Sequence, residues 1–203
     1  MDTTTTTPDG PPRPDVAPSL HHRERRWLPT LIVLGVIVVT VVGGFVVAAV
    51  LSEPAGPAVT VGGTVRVQPL SGWEPAAGAT TAGALPFARL TRGGGNLDVV
   101  VAPSFGQDAD ALVDHYVNDV LEEQLSGLSV SNDLHPVLLS GGQTGQRFNY
   151  AGVTDTGASI EGEATVVIGK TGDGVIFDGW APEGLLTFVD GDLHTMENRA
   201  VFT

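Results

Sequence analysis

Hydrophobic positions fall into one long unbroken run and then into a series of short alternating ones. The long run, Leu31 to Leu51, reads LIVLGVIVVTVVGGFVVAAVL, and no charged residue occurs anywhere in 27–52. Crossing a bilayer takes ~20 apolar residues in a helix, so the pattern predicts a transmembrane helix over 27–52. The run is longer than the ~7–15-residue apolar region of a cleaved signal peptide and begins further from the chain start. It therefore reads as an uncleaved signal anchor. Thr40, Gly44 and Ala48 recur every four residues in it, a stripe of small side chains along which two membrane helices can approach, and hence a route to a homo-oligomer.

Beyond a proline-punctuated link at 53–57 the period changes to two. Thr60 to Leu70 places Val61, Val65 and Val67 on one side, the mark of a half-buried strand. Phe87 to Thr91 and Asn96 to Ala102 read as two more, joined through Gly93-Gly94-Gly95 as a hairpin turn. Asp108 to Ser126 is predicted as the main helix. Its ridges are Leu112, Tyr116 and Val120 beside Val113, Val117, Leu121 and Leu125, with Gly127 in the C′ position. Strands follow at about Leu128 to Ser131, Pro136 to Leu139, Gln146 to Gly152, Ser159 to Lys170 and Gly174 to Ala181. A short helix over Gly191 to Ala200, with Leu193, Met196 and Ala200 inward, closes the domain. The predicted fold class of 58–203 is α+β: a mainly antiparallel sheet with packed helices.

The remaining segment, 1–26, holds five threonines in a row and five prolines but almost no aliphatic surface, and is expected to be a disordered tail. Arg13, Arg23, Arg25 and Arg26 precede the span, whereas the first basic residue after it is Arg66. The positive-inside rule then predicts a cytoplasmic N-terminus and an extracytoplasmic domain. The formal net charge is −13, all of it carried after the span, which argues against nucleic acid as a partner. With no cysteine there is no disulfide, thiolate nucleophile or cysteine-ligated metal.

Candidate chemistry is thin. Asp155-Thr156-Gly157-Ala158-Ser159 matches the aspartic-protease signature, and Val166-Val167-Ile168-Gly169 mimics that family's second element. The two lie only a hairpin's length apart, which suits a turn between strands better than a catalytic lobe. No serine sits in a G-x-S-x-G elbow. His21, His22, His115, His135 and His194 include no pair at i,i+4, so no metal site is predicted. No catalytic, cofactor-binding or metal-ligating residue is assigned.

The unusual feature is electrostatic. No lysine or arginine occurs between Arg92 and Arg147, and the helix there carries Asp110, Asp114, Asp119, Glu122 and Glu123. Two like-charge i,i+4 pairs and acids near the negative helix end weaken the helix locally. These five residues read either as a solvated acidic face or as a docking face for a cationic partner, and Trp73 and Trp180 either as core anchors of strand ends or as aromatic walls of a groove.

The strand leading through Pro69 to Gly72-Trp73, the amphipathic helix, the hairpin sheet, Phe177-Asp178-Gly179-Trp180-Ala181-Pro182-Glu183-Gly184 and a terminal helix together resemble the PsbP-like α/β/α sandwich. The chain is similar in particular to extracytoplasmic lipoproteins and membrane proteins of GC-rich Gram-positive bacteria with that fold. The resemblance implies a binding or accessory module with no catalytic residues to carry over. A membrane helix replaces the lipidated cysteine of the lipoprotein members. The expectation is a single-pass, membrane-anchored, non-catalytic module of the cell envelope, with a protein of the envelope or membrane as partner. The alternatives are an accessory subunit of a larger membrane complex and, third, a hydrolase.

Overall fold

The computed structural model describes residues 56–77, 81–82, 85–106 and 108–203. The predicted tail, the span 27–52 with Thr40, Gly44 and Ala48, and most of the link lie outside the described residues. No helix among the described residues is long and apolar enough to cross a membrane.

Two antiparallel sheets form the frame. The small one runs β1 (Val59–Val61), β2 (Val65–Val67), β12 (Val201–Phe202). The large one runs β3 (Glu74–Pro75), β5 (Leu85–Arg92), β6 (Gly95–Ala102), β11 (Gly174–Pro182), β10 (Ser159–Ile168), β9 (Thr144–Thr154), β7 (Leu125–Val130). Strand β4 (Thr81–Ala82) adds to β5 and β8 (His135–Leu138) to β9. Helix α1 (Ala109–Tyr116) covers one face of the large sheet, and α2 (Asp190–Asn198) covers the other together with the small sheet.

Side chains alternate across a strand, so a strand buried on both faces reads as nearly continuous apolar sequence. In β6, Leu97, Val99 and Val101 join the core under α2, while Val100 and Ala102 join the core under α1. In β11, Val175 and Phe177 go one way and Ile176 the other. The result is an α/β/α sandwich, a mainly antiparallel sheet with packed helices as the sequence predicts.

Three local expectations need correction. The strand expected over Thr60 to Leu70 is broken, because Gly62 and Gly63 take φ of 59° and 73° and fold it into the β1–β2 hairpin. The helix expected to run to Ser126 keeps α geometry only through Tyr116. It continues as a π-helical segment, Val117–Leu121, in which the Glu122 N–H donates to the Val117 carbonyl, and then as a last turn, Glu122–Gln124. Gly127 is therefore not a helix cap. It lies inside β7 with φ 61°, where the register against β9 shifts between Ser126 and Ser129. The helix start matches expectation: Asp108 accepts from the Ala111 N–H at 2.9 Å.

Candidate functional site

The sheet face beneath α1 carries charge where apolar residues are the rule. Antiparallel register sets Arg89 of β5 opposite Asp98 of β6, and Asp98 opposite Asp178 of β11. One row across three strands thus reads Arg89–Asp98–Asp178, all on the α1 side. Arg89 grips Asp98 with two parallel bonds, Nε to Oδ1 at 2.6 Å and a terminal nitrogen to Oδ2 at 2.7 Å. The Trp180 indole donates to the same Asp98 Oδ2 at 3.0 Å. The Arg89 guanidinium also lies 5.2 Å from the Trp180 ring centre and 5.5 Å from that of Phe87.

Asp178 is buried and held from two sides. The Tyr116 hydroxyl, from the last turn of α1, donates at 2.6 Å, and the Tyr150 hydroxyl, from β9, at 2.8 Å. Tyr150 reaches across β10 because the residue opposite it is Gly162; a Cβ there would overlap its ring. Burial raises the Asp178 carboxyl to about 7, and the charge of Asp98 adds to the rise, against the two hydroxyls and Arg89. Burial pushes both phenols well above their ordinary range, and the Asp178 charge pushes them further. The Asp98 hydrogen bond raises Arg89, which stays cationic.

Above this row the end of the helix does not close down on the sheet. Two adjoining hollows of about 330 and 400 Å³ share Arg89, Asp98, Glu123 and Gln124 as lining. Leu85, Phe87, Val120 and Ile176 make the first one partly apolar, and Tyr150, Asp155, Asp178 and Trp180 border the second. From the π-helical segment, Asp119 and Val120 line the first hollow and Leu121 the second, and such segments recur at functional sites.

Of the five acidic candidates, all are exposed, but only Asp119 and Glu123 line this cleft. Asp119 is engaged by the His115 ring, which itself stacks on Phe105 at 6.0 Å between centres. Asp110, Asp114 and Glu122 line neither hollow. The two tryptophans separate. Trp180 borders the cleft, whereas Trp73 is 3 % exposed in the core under α2, its indole donating to Asp192 at 2.9 Å. Asp155-Thr156-Gly157 forms the β9–β10 turn, with Gly157 at φ 82° and its N–H donating to the Thr154 carbonyl at 2.9 Å. Among the described residues, the group with metal-ligating side chains is Glu163, Asp190 and His194, on the opposite face of the sheet.

Sequence reasoning passed over Arg89, Asp98, Asp178, Tyr116 and Tyr150. A signal was present: a charged residue in the middle of an apolar strand (Asp98 in GNLDVVVA, Asp178 in GVIFDGWAP) is buried on one face or the other and must be paired.

No known family's sequence model matches the chain, and no curated protein matches its sequence. Solved structures do. The chain is similar to LpqN, involved in cell envelope biogenesis of Mycobacterium tuberculosis, with a TM-score of 0.51 at 10% identity over 68% of this chain and 83% of that one. It is also similar to cyanobacterial PsbP (CyanoP) from Synechocystis sp. PCC 6803, with a TM-score of 0.47 at 15% identity over 74% of this chain and 100% of that one. The described part of the chain has an α/β/α sandwich fold that it shares with LpqN.

Proposed function

We propose that the chain is a membrane-anchored, extracytoplasmic binding module without catalytic activity, which receives a cationic group of an envelope or membrane protein in the cleft beside the π-helical segment. The observation that carries this reading is the cleft itself. It has aromatic and aliphatic walls, an acidic rim at Asp119 and Glu123, and a floor of polar groups already satisfied by one another. Asp178 has a carboxyl tuned near neutrality, but each of its oxygens accepts a bond from a tyrosine hydroxyl. That arrangement favours positioning over turnover. The uncharged run 27–52 supplies the anchor, and the arginines before it the orientation. The fold shared with LpqN, a protein of envelope biogenesis, supports an envelope setting.

The test is capture of membrane partners by the full chain and by its Asp119→Lys/Glu123→Lys variant, at low and high salt. Salt-sensitive capture by the wild type and its loss in the variant are expected, since exposed charges act over about 8 Å at physiological ionic strength. Equal capture by both proteins at both salt levels contradicts the docking role.

A further inference from the structure

On the face of the sheet away from the cleft, α2 sets Asp190 and His194 on successive turns of one side, directly over Glu163 of β10. A carboxylate oxygen of Glu163, a carboxylate oxygen of Asp190 and a ring nitrogen of His194 all lie within 4.8 Å of one another. His194 Nε2 is 3.3 Å from Asp190 Oδ1 and in contact with Glu163 Oε1. Ligand atoms around a tetrahedral Zn²⁺ with bonds of about 2.0–2.1 Å stand roughly 3.3–3.4 Å apart, so small side-chain shifts suffice to enclose an ion.

We propose that Glu163, Asp190 and His194 form a binding site for a divalent transition-metal ion, of which Zn²⁺ fits best, with the fourth coordination position open to solvent. One imidazole with two carboxylates is a ligand set Zn²⁺ accepts, and three protein ligands plus water is a common arrangement for it. Ca²⁺ takes six to eight oxygens, more than this group offers. The three side chains are half-buried, with side-chain exposures of 17 % for Glu163, 30 % for His194 and 43 % for Asp190, so an ion has a path in from solvent.

Arg147 is the obvious objection, since its Nε lies 3.3 Å from Glu163 Oε1. Its guanidinium is directed elsewhere, however. The same Nε donates to Thr165 Oγ1 at 2.9 Å, and a terminal nitrogen pairs with the buried Glu197 at 2.6 Å. Ion binding displaces the proton that otherwise joins His194 to the two carboxylates and ties α2 to β10 through the metal.

The experiment uses the full chain in detergent, without an affinity tag, and with His21→Ala and His22→Ala to remove the imidazoles of the tail. After chelator treatment it is titrated calorimetrically with Zn²⁺, and in parallel with Co²⁺ read by visible absorption. One saturable equivalent and the intense bands of tetrahedral Co²⁺ are expected. His194→Ala and Asp190→Asn should each weaken binding at least about tenfold, the lower end of what loss of even an outer-sphere partner costs. Both should keep the melting profile of the metal-free parent; if His194→Ala unfolds, Asp190→Asn carries the test. Absence of saturable binding in the parent overturns the proposal, as does binding that a folded variant leaves unchanged.

Discussion

Gly162 stands directly opposite Tyr150 in the β9–β10 ladder, and the Cβ it lacks is the space the phenol ring fills. That vacancy is what lets a β9 side chain cross β10 and bind Asp178 on β11. Gly162→Ala is expected to displace the ring and destabilise the domain by about 1–3 kcal/mol, the usual cost of overpacking. Gly191→Ala is the matched control, because a Cβ there meets nothing within 4 Å. It sits in α2 and should be neutral or stabilising, by up to about 1 kcal/mol. Chemical denaturation of the two variants checks both signs.

The Asp178 carboxyl has an unusual pH signature. Its folded value is about 7 against an ordinary 3.8, for the reasons of burial and the facing Asp98 charge, with Tyr116, Tyr150 and Arg89 acting the other way. Between those values the folded state holds a proton that the unfolded state has lost. Its contribution is therefore fully present below about pH 4 and is lost as pH rises towards 7. Asp178→Asn does not titrate. The stability of the wild type relative to this variant should fall from pH 4 to pH 7, on the order of a few kcal/mol. A difference that stays flat across that window contradicts the assignment.

Arg89→Met removes a half-buried cation but leaves Asp98, 7 % exposed, without its two-pronged partner. A loss of about 1–3 kcal/mol is expected, the cost of an unsatisfied buried acceptor. Adding Asp98→Asn should recover part of it. A double-mutant cycle measures this coupling, and strict additivity argues against the pair.

The frame of this domain was legible because period-two alternation and glycine turns specify strands locally. Val99 and Val100, or Ile176 and Phe177, announce a sheet buried on both faces. The π-helical segment was not legible, since the apolar ridge through Tyr116 and Val120 reads equally well in either helical form. Nor was the bulge at Gly127, where a glycine after a helix ordinarily means a cap. The Arg89–Asp98–Asp178 row depends on register between strands far apart in sequence, which no local pattern records. The Glu163–Asp190–His194 group was hidden for a simpler reason. Histidine spacing alone does not reveal it, because the i,i+4 partner of His194 is an aspartate.

Asp155 lies exposed in a two-strand turn whose bonds come from Thr154, Gly157 and Ala158. Asp155→Asn should change stability by less than about 0.5 kcal/mol, as surface substitutions usually do. Proteolysis sensitive to pepstatin and abolished by this substitution would reverse the reading of the turn.

Photo-crosslinking from within the cleft beside the π-helical segment checks whether this is the binding surface. A photoreactive amino acid at Gln124, shared by both hollows, is compared in intact membranes with one at Glu183, which lines neither. A discrete adduct is expected from position 124, disappearing when Asp119 and Glu123 are both lysine, and none from position 183. Equal adducts from the two positions, or an adduct from 124 that survives the double substitution, would contradict it.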